Sequence, residues 1–202
     1  MTSPSSVLRT NRNFRLLFLG QAISQLGDWF NSVAVFALLL DLTGSATAVA
    51  WMMIVQFLPM AIVGPLAGVV VDRVDRKRLM IAADLFRGVM ILGLLLVRRR
   101  EEVWIAYVVT AVCVSAQAFF EPARTATIPN VTSAEELMPA NALSSATWSA
   151  MLAAGASVGG LVTALSGRNV AFILNAASFF ASAIFISRTR FNSTPPKVLR
   201  AS

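Results

Sequence analysis

The sequence predicts an all-α membrane protein with six spanning helices. Three observations carry that prediction. The 202 residues are 56% hydrophobic, with a mean hydropathy of +0.70. Only 13% are charged, against about 25% in a soluble domain. The charges are also bunched between long apolar runs. The densest bunch is Gly68-Val69-Val70-Val71-Asp72-Arg73-Val74-Asp75-Arg76-Lys77-Arg78. No charged residue lies between Ser45 and Val71, and the chain turns apolar again at Leu79. That is the pattern of a tight hairpin between two spans, anchored on one side of a bilayer by Arg73, Arg76, Lys77 and Arg78.

Composition also excludes function classes. Net charge is +7, but most cations sit between apolar runs, so the lipid bilayer and not nucleic acid is the partner they imply. Cys113 is the single cysteine, so no intrachain disulfide forms, and in an apolar run it acts as a small apolar side chain. The chain has no histidine, which removes histidine-based metal sites and Ser-His or Cys-His catalysis. No catalytic constellation and no cofactor motif stand out, and the chain reads as a non-enzyme. The first apolar run is too long for a signal-peptide core and is read as a retained helix.

The elements follow in order. Residues 1–13 form a polar, frayed N-terminal segment. The first span covers about 14–40. Gln21, Ser24, Gln25, Asp28, Asn31 and Ser32 recur along it at helical spacing and make one polar stripe. Lipid cannot satisfy such groups, so the stripe faces other helices or a water-filled cavity. A turn at 41–45 leads to the second span, 45–71, which Pro59 and Pro65 kink and where Gly64 and Gly68 permit close approach. The third span, 79–97, carries Asp84 and Arg87 three residues apart on one face, as a structural ion pair. The fourth span is 103–120, with Gln117 its most polar member. Residues 121–140, with Pro122, Pro129 and Pro139, read as the longest connection, holding a surface helix that starts after Ser133 with Glu136 completing a capping box. The fifth span, 141–166, has Gly155, Gly159 and Gly160 at small-residue packing positions. The sixth is 169–187. Residues 188–202 form a basic tail.

Cation placement sets orientation. With the N-terminus inside, the inner segments hold Arg9, Arg12, Arg15, Arg73, Arg76, Lys77, Arg78, Arg124, Arg188, Arg190, Lys197 and Arg200. The outer ones hold Arg98, Arg99, Arg100 and Arg168. Both termini are therefore expected in the cytoplasm, with the chain multi-pass in a bacterial inner (cell) membrane. The glycosylation patterns at Asn130 and Asn192 then fall on the inner side and are chance matches.

The spacing Gly68-x-x-x-Asp72-Arg73-x-x-Arg76-Lys77 resembles the loop signature between helices 2 and 3 of the major facilitator superfamily, with Asp75 where many members carry a second glycine. The resemblance runs along nearly the whole chain. Ala83-Asp84-Leu85-Phe86-Arg87, Pro122-Ala123-Arg124-Thr125-Ala126-Thr127-Ile128-Pro129 and Asn175-Ala176-x-Ser178-Phe179 are similar to its drug and siderophore (enterobactin-type) exporters. Gly155-Ala156-Ser157-Val158-Gly159-Gly160 resembles the antiporter motif of its fifth helix, with Ala156 in place of the usual proline.

What that resemblance implies is one half of the family's fold: a six-helix bundle built from two inverted three-helix repeats. It implies a secondary active transporter, or the N-terminal half of one, that exports a small amphipathic molecule by proton-coupled alternating access. The site would lie mid-membrane on helices 1, 4 and 5. Gly68, Asp72, Arg73, Arg76 and Lys77 would form a gating loop, with Asp72 facing a helix N-terminus of the second half and Arg76 paired to Glu121. Asp28 is the candidate proton or substrate site, with Gln21, Gln25, Asn31 and Gln117 around it; a charge at that depth is costly. The bland alternative is a neutral Asp28 hydrogen-bonded to Gln25 or Asn31. For Gln117 and Asn175 the expected role is interhelical hydrogen bonding. Three readings of the chain stand: a piece of a longer transporter, a half-transporter that pairs with itself or a sister chain, and a non-transporting membrane protein or partner of another transporter.

Overall fold

A computed structural model describes residues 4–190 of the 202. Residues 191–202, which include most of the basic tail and Asn192, lie outside the described residues. The described residues are helical almost throughout: α1 (Pro4–Thr10), α2 (Arg12–Thr43), α3 (Ala46–Val71), α4 (Arg76–Ile91), α5 (Val103–Val131), α6 (Ala134–Ser166) and α7 (Arg168–Ser187). Short 3-10 turns at Leu92–Leu96 and Arg100–Glu102 join α4 to α5. Six of these segments are long and apolar enough to cross a membrane. Among the described residues the protein is thus all-α, with the six spans that the sequence predicts.

Local chemistry sets the helix ends. Asn11 caps α2, its side chain accepting from the Phe14 amide at 3.0 Å. Asp75 caps α4 in the same way through the Arg78 amide at 3.0 Å. Gly44, at φ 63°, closes α2 in the left-handed conformation that glycine adopts without a Cβ penalty. Ser133 and Glu136 form the expected capping box at the start of α6.

Two boundaries differ from expectation. The stretch 121–140 is not a connection: α5 runs on to Val131 and α6 starts at Ala134, so Pro122, Pro129 and Pro139 lie inside helices. Prolines break helices in water, but an apolar surrounding penalises any unwound backbone and favours continuation. Hydroxyls add bonds near the prolines: Thr125 donates to the Glu121 carbonyl and Thr132 to that of Ile128. From Pro4 on, the N-terminal segment is also not frayed. It forms α1, with Val7 buried, and the Asn11 amide group donates to the Val131 carbonyl at 2.6 Å and to Glu136 at 3.0 Å.

The packing order carries a symmetry that the residue pattern hides. α2 packs mainly on α7 and α6, α5 packs mainly on α3 and α4, and α4 packs on α7. Exchanging α2–α3–α4 with α5–α6–α7 reproduces that pattern, and the short connections reverse direction at each span, so the triplets are related by inversion. Gly155 and Gly159 do the packing expected of them. An added Cβ at Gly155 would come within 2.7 Å of Trp29, and one at Gly159 within 2.9 Å of the Phe30 backbone. Gly64, Gly68 and Gly160 face open space, so the close approach expected at the first two is not used within this chain.

Two apolar clusters fill the bundle. One, around Leu38, Met52, Leu94, Val103 and Phe172, lies toward the Gly44 end. The other, around Phe14, Leu17, Met80, Phe120 and Ile186, lies toward the hairpin end. Between them sits a polar layer.

Candidate functional site

The polar layer opens onto a groove of about 1150 Å³ lined by α2, α3, α4, α5 and α6. Its walls are helical stripes. From α2 come Gln21, Gln25, Asp28, Asn31 and Ser32, which is the predicted stripe apart from the buried Ser24. From α5 come Thr110, Cys113, Gln117, Glu121, Arg124 and Thr125, and from α6 Asn141, Ser144, Ser145, Trp148 and Ser149. Spacings of three and four residues keep each set on one face. Apolar side chains such as Phe36, Met53, Phe57 and Met60 complete the lining. The result is an amphipathic wall, with polar and apolar side chains sharing one open groove.

Charges occur at two levels of the groove. At the deeper level Arg87 lies between two carboxylates. Its Nη2 pairs with Asp84 on α4, and its Nη1 stands 3.9 Å from Asp28 on α2. The guanidinium also sits over the rings of Phe179 and Phe120, 4.3 and 4.8 Å from their centroids. Asp84 and Arg87 are buried, whereas the Asp28 side chain is one-third exposed to the groove (33%). The expected Asp84–Arg87 pair is thus present and gains a third member. Asp28 is paired to Arg87 and not held by Gln25 or Asn31. With all three ionised, the cluster carries one net negative charge.

The second level lies toward the hairpin, about 10 Å along α2 from Asp28, as seven residues of helix rise dictate. Here Arg124 donates from Nη1 to the Gln21 side chain at 2.9 Å, and from Nη2 and Nε to Glu121 at 3.0 and 3.2 Å. This corrects the expected Arg76–Glu121 pair. Glu121 is taken by Arg124, three residues on along its own helix, while Arg76 reaches Asp72 at 3.6 Å and the Ala126 carbonyl at 3.1 Å. Arg124 is the main site residue that the sequence reading overlooked. The signal was available: Thr110, Cys113, Gln117, Glu121, Arg124, Thr125 and Ile128 continue one stripe, which reading a break at Pro122 cut short.

The hairpin residues occupy the end of the bundle. Lys77 donates to the Thr189 carbonyl at 2.7 Å, just past the C-terminus of α7, where the backbone carries partial negative charge. Arg73 is exposed. Asp72 has a 75% exposed side chain, paired with Arg76 at the start of α4. Gln117 lines the groove. Asn175 is buried and stands where α7 meets Gly27 of α2, away from the groove lining. Among the described residues no cluster of side chains is suited to a metal ion.

A family model described as a transmembrane secretion effector matches residues 2–202. The chain is 28% identical over 181 residues to the MFS-type transporter YfiS of Bacillus subtilis, covering 89% of this chain and 43% of that protein. It is 29% identical over 183 residues to BacE of the same organism, named as a bacilysin exporter, covering 91% of this chain and 45% of BacE. It is 33% identical over 126 residues to macrolide efflux protein A of Streptococcus pyogenes, covering 61% of this chain and 31% of that protein. The chain therefore spans less than half the length of these relatives. No solved structure matches it.

Proposed function

This chain belongs to the transmembrane secretion effector family of the major facilitator superfamily, and from that premise we propose that it is the N-terminal six-helix half of a proton-coupled exporter of small amphipathic molecules. The observation that carries the reading is the groove at mid-bundle, where the partly exposed carboxylate of Asp28 is held against Arg87, which also pairs with Asp84. A substrate slides along the amphipathic walls while Asp28 exchanges a proton between its partnered and unpartnered states. Protonation frees Arg87 to pair with Asp84 alone, which shifts α2 relative to α4 and couples the proton to alternating access.

The names borne by BacE and macrolide efflux protein A favour antibiotics as the cargo class. Cation placement favours a cell-membrane protein with both termini in the cytoplasm. Asp72 then works as a gate against a helix of a second half, supplied by further chain, a second copy or a sister protein.

The test is pH-gradient-driven efflux of a fluorescent amphipathic dye from proteoliposomes. The chain is assayed alone and with a second six-helix half supplied in trans. Gradient-dependent flux is expected only with the second half, and Asp28→Asn should abolish its dependence on the gradient. Flux that ignores the gradient in the native protein would remove Asp28 from the coupling role. No flux in either preparation would favour a non-transporting partner protein.

A further inference from the structure

The loop between α4 and α5 breaks the charge pattern of the rest of the chain. Arg98, Arg99 and Arg100 lie at the end of the bundle opposite the Asp72 hairpin, because α4 crosses the bundle between them. All three are exposed, and among the described residues none forms a salt bridge. Arg168, the other cation at this end, is instead paired with Asp41 at 3.0 Å.

The loop has a defined shape. Glu102 turns back so that its Oε2 accepts from the backbone amides of Arg98 and Arg99 at 2.8 and 3.0 Å. That carboxylate oxygen therefore holds the main chain in a tight turn; the carboxylate also attracts the Arg98 and Arg99 side chains, yet all three arginines stay exposed. On either side stand exposed apolar side chains, Leu96 (64%) and Trp104 (61%). A loop joining two spanning helices sits at the bilayer surface, and an exposed tryptophan one turn beyond it marks the headgroup level. Segment 98–102 carries three cations against Glu101 and Glu102, so one positive charge is in excess.

We propose that Arg98–Arg100, flanked by Leu96 and Trp104, form a binding site for the phosphate group of anionic phospholipids in the leaflet at this end of the protein. Guanidinium groups match phosphate oxygens with paired hydrogen bonds. Leu96 and Trp104 supply acyl-chain contact below the headgroup. A cation cluster on the side disfavoured by charge-based insertion then has a ligand that offsets its cost of placement. The site lies outside the groove and does not depend on the transport reading.

The experiment reads lipid contact at Trp104. In the full chain, Trp29, Trp51 and Trp148 are replaced by Phe, leaving Trp104 as reporter. The protein is reconstituted in phosphatidylcholine mixed with phosphatidylglycerol, with bromine on the acyl chains of one lipid or the other. Brominated phosphatidylglycerol should quench Trp104 beyond its bulk proportion, with a preference of about fivefold, the effect of one well-placed arginine near an anionic surface. Arg98→Gln with Arg99→Gln and Arg100→Gln should remove the preference, and the corresponding triple change to Lys should keep part of it. Equal quenching by both lipids in the native loop overturns the proposal. So does a preference that survives the triple Gln change, which would locate the anionic lipid elsewhere. Should the Gln variant fail to insert, the Lys variant decides: a preference equal to that of the native loop would overturn the guanidinium–phosphate assignment.

Discussion

The Asp28–Arg87–Asp84 cluster and the Asp72–Arg76 hairpin use the same residue types for opposite ends. In the cluster, the Arg87 and Asp84 side chains are at most 3% exposed, and the three charges come from two helices. In the hairpin, Asp72 and Arg76 are four residues apart on one short segment, and Asp72 is largely in solvent. Exposed pairs contribute little, because water screens the attraction and the side chains lose entropy. Buried pairs are costly to make and much costlier to break. The cluster is therefore a structural keystone with one groove-facing member, Asp28, the proposed proton site. The hairpin is a surface device whose carboxylate has weak ties to its own chain and stays available to another.

Breaking the cluster tests that contrast most severely. Arg87→Gln leaves Asp84 buried without a cation and should destabilise the bundle by about 3–5 kcal/mol, read as a lowered melting temperature in detergent. The double change Asp84→Leu with Arg87→Leu should recover most of that loss, since apolar groups of similar volume often replace a buried pair without penalty. If the double variant were no more stable than Arg87→Gln, the pair would owe its place to packing and not to charge.

Arg76→Gln is the intermediate case. Its guanidinium is mostly buried and donates to the Ala126 carbonyl, so its loss should cost about 1–2 kcal/mol by the same melting assay. Asp28→Asn should change the melting temperature little, because the carboxylate is part-exposed and 3.9 Å from Arg87, while removing gradient-driven transport. Asp72→Asn should have the smallest effect on stability, within about 0.5 kcal/mol. Membrane insertion of the six helices should be unchanged in a protease-protection assay, with transport impaired only when a second half is present. Lost insertion would make the loop a topology anchor and not a gate.

Much of this was legible in the residues. The apolar runs and the bunched charges define six spans because a bilayer admits backbone only in hydrogen-bonded form. The stripe from Gln21 to Ser32 shows where the groove lies, because the helical period places those groups on one face. The Asp84–Arg87 pair follows from their spacing. The second polar wall on α5 was harder to see. Pro122 and Pro129 carry the same local signal whether they end a helix in water or lie within one in lipid, and only neighbouring helices decide between the two.

Pairing between helices is where the sequence stopped. It placed Asp28 on the correct face but could not choose Arg87 over Gln25 or Asn31, and it assigned Glu121 to Arg76 when Arg124 was closer. Those choices depend on how α2 lies against α4 and how α5 rotates about its axis. Packing sets both: α2 and α4 each seat a glycine against α7, Gly27 at Ser178 and Gly88 at Phe180, and α5 packs on α3 and α4. The repeat symmetry also appears only in three dimensions, because packing order constrains shape and polarity while leaving residue identity free. By itself the sequence determined which segments span and which faces are polar, since hydropathy and helical period are local properties of the chain. Only the tertiary structure decided which charge meets which, because that depends on rotations and translations of helices that no local pattern encodes.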